Sequence, residues 1–435
     1  MSQFPIPQLR TPEPSSIELP GSKSIALRQL AISALVEGTS HLSGMPPCDD
    51  IDAMLDCLER LGVGVEQTRR NNQLDLRIQG PMDRLADVHL DARMSGASTR
   101  LLIGLAALRK GRTTIDGHPS LRVRTNQPLF DTLIANGCSV VSAEGGLPAT
   151  IQGPLVPPPV LSVDGSISSQ YITALLIASP LMLEMSGREQ QIIQITGQLV
   201  SKPYLDITLA EMTKRGARVA WQGADQICVK RQGYNSADLH IEGDATAASY
   251  FLALATLHHS TVTLTNLSDN THQGDFAFTR VMQDLGAEVA CHAGTTTITG
   301  PAQLRALAPQ DMASMPDAAL TLIAMAPLIP EATEITGLST LHHKECDRLL
   351  CSTEALQAMG IAAQATESTV TIPYCPPAMH KPHLLNTHHD HRMAMAFSVL
   401  ASVSGKIIVD DKMVVAKTYP HYWDDYLKLR PTHAA

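Results

Sequence analysis

Lys23, Arg28, Arg100, Arg124, Lys202, Lys344, Arg348, Arg392 and Lys417 stand at or near polar turns that open small-residue apolar segments. In a chain of net charge -9, a solvated surface does not place lysines and arginines in this way. Bidentate arginines and point-charge lysines in such numbers suit a substrate pair with several anionic groups. Three carboxylates join them: Asp317 at an expected helix start, Glu345 in Lys344-Glu345-Cys346-Asp347-Arg348, and Asp390 in Asp390-His391-Arg392. A carboxylate among cations is held ionised and can act as a base, whereas one serving as an acid needs desolvation to offset them. Simple pairing of Glu345 and Asp347 with neighbouring cations on an exposed helix is the competing reading.

The stretch Leu19-Pro20-Gly21-Ser22-Lys23-Ser24 shows what positions such groups. Ser22 and Ser24 are good N-cap residues, Gly21 admits close backbone approach, and the unpaired N–H groups of a first turn together with Lys23 favour a phosphate or carboxylate. Comparable turns begin at positions 21, 95, 168, 243, 316 and 390, about 74 residues apart, a regular internal repeat. A second helix ends in Leu61-Gly62-Val63, Asn136-Gly137-Cys138, Arg215-Gly216-Ala217, Leu285-Gly286-Ala287 and Met359-Gly360-Ile361, with glycine as the left-handed cap; the last repeat has no clear copy. Runs such as Leu74–Ile78, Val262–Thr265, Thr296–Thr299 and Ile407–Val409 read as strands, so each repeat is an α/β module. At 435 residues the six modules exceed one core. Grouped three and three, with the N-terminal strand joining the last three, they predict a discontinuous domain, 1–21 plus 241–435, and a continuous one, 22–240. The ligand is expected in the cleft where the helix N-termini of both halves converge.

The composition narrows the chemistry further. No basic run exists to neutralise a nucleic-acid backbone, and no segment reaches a membrane-spanning length. The opening residues carry no secretory pattern, so the expected location is the cytoplasm. The eight cysteines include no C-x-x-C pair and read as reduced, mostly buried thiols. His388-His389-Asp390-His391 does not place metal ligands on one helical face, and neither nucleotide-binding glycine motif occurs, so neither metal nor nucleotide is expected.

The ordered motifs Leu19–Ser24, Ser168-Ser169-Gln170, Ser201-Lys202-Pro203-Tyr204, Glu242–Ala245, Gln273-Gly274-Asp275, Pro316–Ala319, Lys344–Arg348, Asp390–Ala394 and Ala416-Lys417-Thr418 resemble those of the enolpyruvyl transferases over essentially the whole length. That resemblance implies a two-domain α/β clamshell, each domain an inside-out barrel of three βαβαββ units. It also implies cofactor-free transfer of the enolpyruvyl group of phosphoenolpyruvate to the 5-hydroxyl of shikimate-3-phosphate, with release of phosphate, by a monomer. By similarity Ser168, Ser169, Ser201 and Lys344 hold the shikimate phosphate, Ser24 and Arg28 its carboxylate, and Gln170 and Tyr204 line the ring. Lys23, Arg124, Arg348, Arg392 and Lys417 hold phosphoenolpyruvate, with Gly96 near its phosphate and Gln170 beside it. The catalytic candidates are Asp317 as base and Glu345 or Lys23 as proton donor. Two phosphates and two carboxylates bring about six negative charges, which the local cations match.

Three positions depart from the family's pattern. Met94–Leu101 keeps its glycine and arginine but lacks the usual Asn, Thr and Pro, Thr125 follows Arg124 where proline is usual, and Thr340 stands where an asparagine touches the ring. Two alternatives remain open on sequence: transfer to a different acceptor, and a binding clamshell without catalysis.

Overall fold

The six helices that begin at the repeated turns lack the one-sided apolar stripe of a surface helix, and each is buried on nearly every face. Every residue of Ala245–Leu257 is buried, for example. In the computed structural model, which describes residues 3–9, 13–70 and 72–430, the chain divides into two compact units, Gly21–Ile241 and Met1–Pro20 with Glu242–Ala435. Three such helices pack on one another inside each unit: Lys23–Ser33, Gly96–Ala106 and Ser169–Ser186 in one, Ala245–Leu257, Pro316–Met325 and His391–Ser404 in the other. Sheets and second helices lie outside them. The second helices are amphipathic: Asp49–Arg60 buries Ile51, Met54, Leu55 and Leu58 and exposes Asp52, Asp56 and Glu59. Past it Gly62 takes φ +82°, the left-handed cap that its sequence predicts.

Each four-stranded sheet follows one plan. Val160–Asp164 runs parallel to Gln190–Thr196, which pairs antiparallel with Gln226–Lys230, whose other neighbour is Arg218–Trp221. Their register sets Leu161, Ile193 and Ile227 side by side, all buried, so one face meets the helices. This is a βαβαββ module, and the α/β class read from the sequence holds. Val88–Asp91, Thr113–Asp116, Ala149–Gln152 and Ser139–Ser142 repeat the plan, as do Gln310–Asp311, Thr333–Thr336, Val370–Ile372 and Gln364–Ala365.

In two sheets the first strand comes from far along the chain. Asp238–His240 pairs parallel with Gly38–Met45, and Ser15–Ile17 with Thr261–Leu264. The last sheet has three strands, His383–Leu385, Ile407–Val409 and Phe4–Pro5, the last of these antiparallel to its neighbour. The missing second helix of the sixth repeat is the short Tyr422–Lys428. No strand follows it among the described residues, so the glycine signature is absent. Tyr426 Oη donates to the Pro7 carbonyl at 2.7 Å, and the Trp423 ring meets Phe4 at 4.9 Å, which fixes the N-terminal segment on this helix.

Candidate active site

The candidate residues fall into two sets, one in each unit. In the Glu242–Ala435 portion they converge on Arg348, the first residue of the Arg348–Ala358 helix. Its guanidinium, almost fully buried, donates Nε–H to Asp390 Oδ2 at 2.7 Å, Nη1–H to Asp317 Oδ1 at 2.9 Å and Nη2–H to Glu345 Oε2 at 2.8 Å. Asp317, near the start of Pro316–Met325, also meets Arg392 Nη2 at 3.0 Å and Lys344 Nζ at 3.2 Å. Glu345 takes a second cation, Lys417 Nζ, at 2.7 Å. Asp390, fully buried, caps its helix by accepting from the Arg392 backbone N–H at 2.9 Å. Arg392 reaches Tyr250 Oη at 3.4 Å, so all three inner helices of this unit contribute, Ala245–Leu257 from its middle.

Three carboxylates thus face four cations in one connected network. Burial opposes ionisation of Asp317, but Arg392, Lys344 and Arg348 outweigh it and hold its carboxyl well below the usual carboxylate range. For Arg348 burial likewise disfavours the charge, and Asp390, Glu345 and Asp317 overcome it, pushing the guanidinium up. Glu345 does pair with Arg348 three residues on, but in a nearly enclosed network, not on an exposed helix. Asp347 serves otherwise: it caps the helix through the Leu350 N–H at 3.0 Å and pairs with His342 at 2.8 Å. Thr340 Oγ1 is buried without a hydrogen-bond partner among the described residues.

In the Gly21–Ile241 unit Lys23 Nζ pairs with buried Asp50 Oδ2 at 2.8 Å. Sequence reading missed Asp50: three aspartates in the first turn of Asp49–Arg60 look like ordinary dipole partners, and only the fold buries one of them against Lys23. Gly96 opens its helix between two guanidinium groups. A Cβ there would lie 2.5 Å from Arg100 Nη1 and 2.6 Å from Arg124 Nη1. Arg100 donates to the carbonyls of Gly96 at 3.0 Å and Thr125 at 3.3 Å, and Tyr171 Oη donates to that Thr125 carbonyl at 2.7 Å. Arg100 is therefore the anchor of the Arg124-Thr125 turn.

Arg28 donates to Thr208 Oγ1 at 2.9 Å and to the carbonyls of Ser24 at 2.7 Å and Tyr204 at 3.0 Å. Burial pulls its guanidinium down to about 10 against the attraction of Glu211 and Tyr204. Ser168 caps its helix by accepting from the Gln170 N–H at 3.2 Å, beside buried Ser169. Ser201 sits at φ +54°, a conformation that costs a non-glycine residue energy. Ser22 occupies an N-cap position without capping; its hydroxyl is buried with no partner among the described residues. Lys202 belongs elsewhere, on Asp206 at 3.3 Å and over the Trp221 ring at 4.5 Å. Among the described residues no group of three or more His, Cys, Asp or Glu side chains could hold a metal ion, and no helix is long and apolar enough to cross a membrane.

Repeated βαβαββ modules around buried helices, with catalytic-type charge at the helix starts, define a class that solved structures share. An EPSP synthase structure from Acinetobacter baumannii matches with a TM-score of 0.78 at 21% identity, covering 99% of this chain and 98% of that one. The family model of EPSP synthase (3-phosphoshikimate 1-carboxyvinyltransferase) matches residues 10–426. A 3-phosphoshikimate 1-carboxyvinyltransferase of Cronobacter sakazakii is 33% identical over 97% of this chain and 96% of its own length. A chloroplastic one of Brassica napus is 34% identical over 94% and 81%. The chain belongs to the EPSP synthase family, and so is a transferase of aromatic amino-acid biosynthesis.

Proposed function

We propose that both residue sets serve one reaction, transfer of the enolpyruvyl group of phosphoenolpyruvate to the 5-hydroxyl of shikimate-3-phosphate. The observation that carries the assignment of roles is the Arg348 network, which joins Asp317, Glu345, Arg392, Lys344 and Lys417. Addition joins the hydroxyl oxygen to C2 of phosphoenolpyruvate, takes the hydroxyl proton and delivers a proton to the methylene carbon. Elimination then expels phosphate from C2 and removes a proton from the methyl group so formed. Asp317 is the base for the hydroxyl, and Glu345 or Lys23 handles the methylene proton.

As it stands, Asp317 is ionised but weakly basic, because three cations hold it. Substrate phosphate and carboxylate groups compete for Lys344, Arg392 and Arg348, and every cation that they draw away raises the basicity of Asp317. Anion binding thereby switches on the base. Arg348, Arg392 and Lys417, with Lys23, Arg124, Gln170 and the Gly96 backbone, bind phosphoenolpyruvate. Ser168, Ser169, Ser201 and Lys344 bind the shikimate phosphate, Ser24 and Arg28 its carboxylate, and Gln170, Tyr204 and Thr340 its ring, with Lys23 and Asp317 in contact with it as well. The unpartnered Thr340 hydroxyl supports its place in this set, since a ring hydroxyl would satisfy it. No cofactor enters this scheme, which runs in a monomer in the cytoplasm.

The test is phosphate release from phosphoenolpyruvate with and without shikimate-3-phosphate, beside Asp317→Ala. Release should need both substrates and fall by about 10²–10⁴-fold in the variant, the range of a lost general base. Equal release without shikimate-3-phosphate, or an unimpaired variant, would overturn the assignment.

A further inference from the structure

The segment that carries Thr340, Lys344 and Glu345 is irregular: a tight turn over Ser339–His343, then four residues outside any helix or strand before Arg348 opens its helix. Backbone of this kind keeps its place through the groups that its side chains bond. One side chain in it bonds in two directions. His342 Nδ1 lies 2.8 Å from Asp347 Oδ2, and its Nε2 lies 2.8 Å from the Glu367 carbonyl oxygen. Asp347 is the N-cap of Arg348–Ala358, its other oxygen accepting from the Leu350 N–H. Glu367 belongs to the turn between Gln364–Ala365 and Val370–Ile372, where the Leu338 N–H also donates to the Ser368 carbonyl at 3.0 Å. The imidazole therefore joins the start of the helix to a turn of the sheet.

The partners fix its protonation. A carboxylate and a carbonyl oxygen only accept hydrogen bonds, so both ring nitrogens must donate, and an imidazole with two N–H groups is the cation. Neutral histidine has one N–H and keeps one of the two ties. The bond to the Asp347 carboxylate is the stronger, so the tie to Glu367 is the one lost. The same hydrogen bond to Asp347 holds the imidazole above its ordinary 6.5 against burial, helped by the Glu367 carbonyl and by the charges of Asp347 and Glu367. Those two carboxylates face it from the helix start and the sheet turn; His343 and Lys344 follow it on its own segment. With 29% of its side chain exposed, it exchanges protons with solvent. Both ties are therefore whole below about pH 6.5, and one is lost as pH rises through the raised value.

We propose that His342 is a positioning residue: as an imidazolium bonded to Asp347 and Glu367 it sets the segment that presents Thr340 and Lys344, and its deprotonation weakens the binding of shikimate-3-phosphate. It touches no substrate itself. Thr340 lies two residues before it and Lys344 two after, so a loosened ring moves both together. The expected loss is that of one net hydrogen bond, roughly threefold to tenfold in KM for shikimate-3-phosphate, with kcat moving less.

The KM part rests on the proposed transfer reaction; the state of the ring does not. Imidazole NMR of the full chain with labelled histidine, the His342 signals identified by their loss in His342→Gln, should show N–H on both ring nitrogens at pH 6 and a titration above 6.5. Asp347→Asn, which still caps the helix, should bring that titration down. Phosphate release is then followed from pH 6.5 to 9. KM for shikimate-3-phosphate should rise on the scale given in the unaltered chain, stand high without that step in His342→Gln, and stay low without it in His342→Arg, whose charge is permanent. A ring with one N–H at pH 6, a titration at or below 6.5, or the same KM step in all three proteins overturns the inference. A chain that releases no phosphate at any pH overturns the proposed function instead, and the NMR titration still decides the two bonds.

Discussion

Buried arginines occur in both units, but their partners differ in kind. In Gly21–Ile241, Arg28, Arg100, Arg109 and Arg215 donate to carbonyl, hydroxyl and amide oxygens. In the other unit Arg348 and Arg392 give theirs largely to carboxylates. Neutral acceptors orient a guanidinium without cancelling its charge, and burial pulls Arg28 and Arg215 down to about 10. Carboxylates cancel the charge locally, and the cations in turn hold Asp317 ionised. The first arrangement leaves a guanidinium charge open to an added anion, and the second keeps carboxylates ionised beside their cations.

The severest way to break this comparison is Arg348→Met. It leaves Asp390, Asp317 and Glu345 short of a shared cation, and removal of one partner from a buried pair costs about 3–5 kcal/mol. Urea unfolding should show that loss, together with abolished phosphate release; a variant of unchanged stability would mean that the network is not coupled. Gly96→Ala probes the other unit. Its Cβ must push Arg100 or Arg124 aside, so kcat/KM for phosphoenolpyruvate should fall by up to about a hundredfold. Its urea midpoint should shift far less than that of the Arg348 variant.

The third test uses acid. The folded pKa of Asp317 lies below its unfolded value of about 3.9, so its contribution to stability is whole above about pH 5 and is lost as pH falls through the folded value. Asp317→Asn should flatten the acid limb of the stability profile, and an unchanged limb would show that the cations do not act on it. The smallest effect is expected from Lys202→Ala. That exposed pair with Asp206 should contribute under about 1 kcal/mol, and a large loss of activity would return Lys202 to the site.

The six helix starts and the glycine caps were legible because they follow from local chemistry, capping residues ahead of apolar runs and glycine at positive φ. Asp317, Glu345 and Asp390 were legible as charges set among charges. Asp50 was not, because its partner Lys23 lies 27 residues away and nothing local distinguishes it from Asp49 or Asp52. Arg100 was legible as a cation but not as the anchor of a turn 25 residues on. The role of Tyr422–Lys428 depended on which strand closes the last sheet, and that strand, Phe4–Pro5, lies at the other end of the sequence.

That last pairing bears on the order in which the protein can be made. A ribosome releases Phe4–Pro5 and Ser15–Ile17 first, yet their partners, Ile407–Val409 and Thr261–Leu264, follow hundreds of residues later. Gly21–Ile241 carries all its own strands and can close its last sheet once Asp238–His240 emerges. The leading residues meanwhile wait with unsatisfied backbone, the stage of synthesis at which a chaperone would have most to protect.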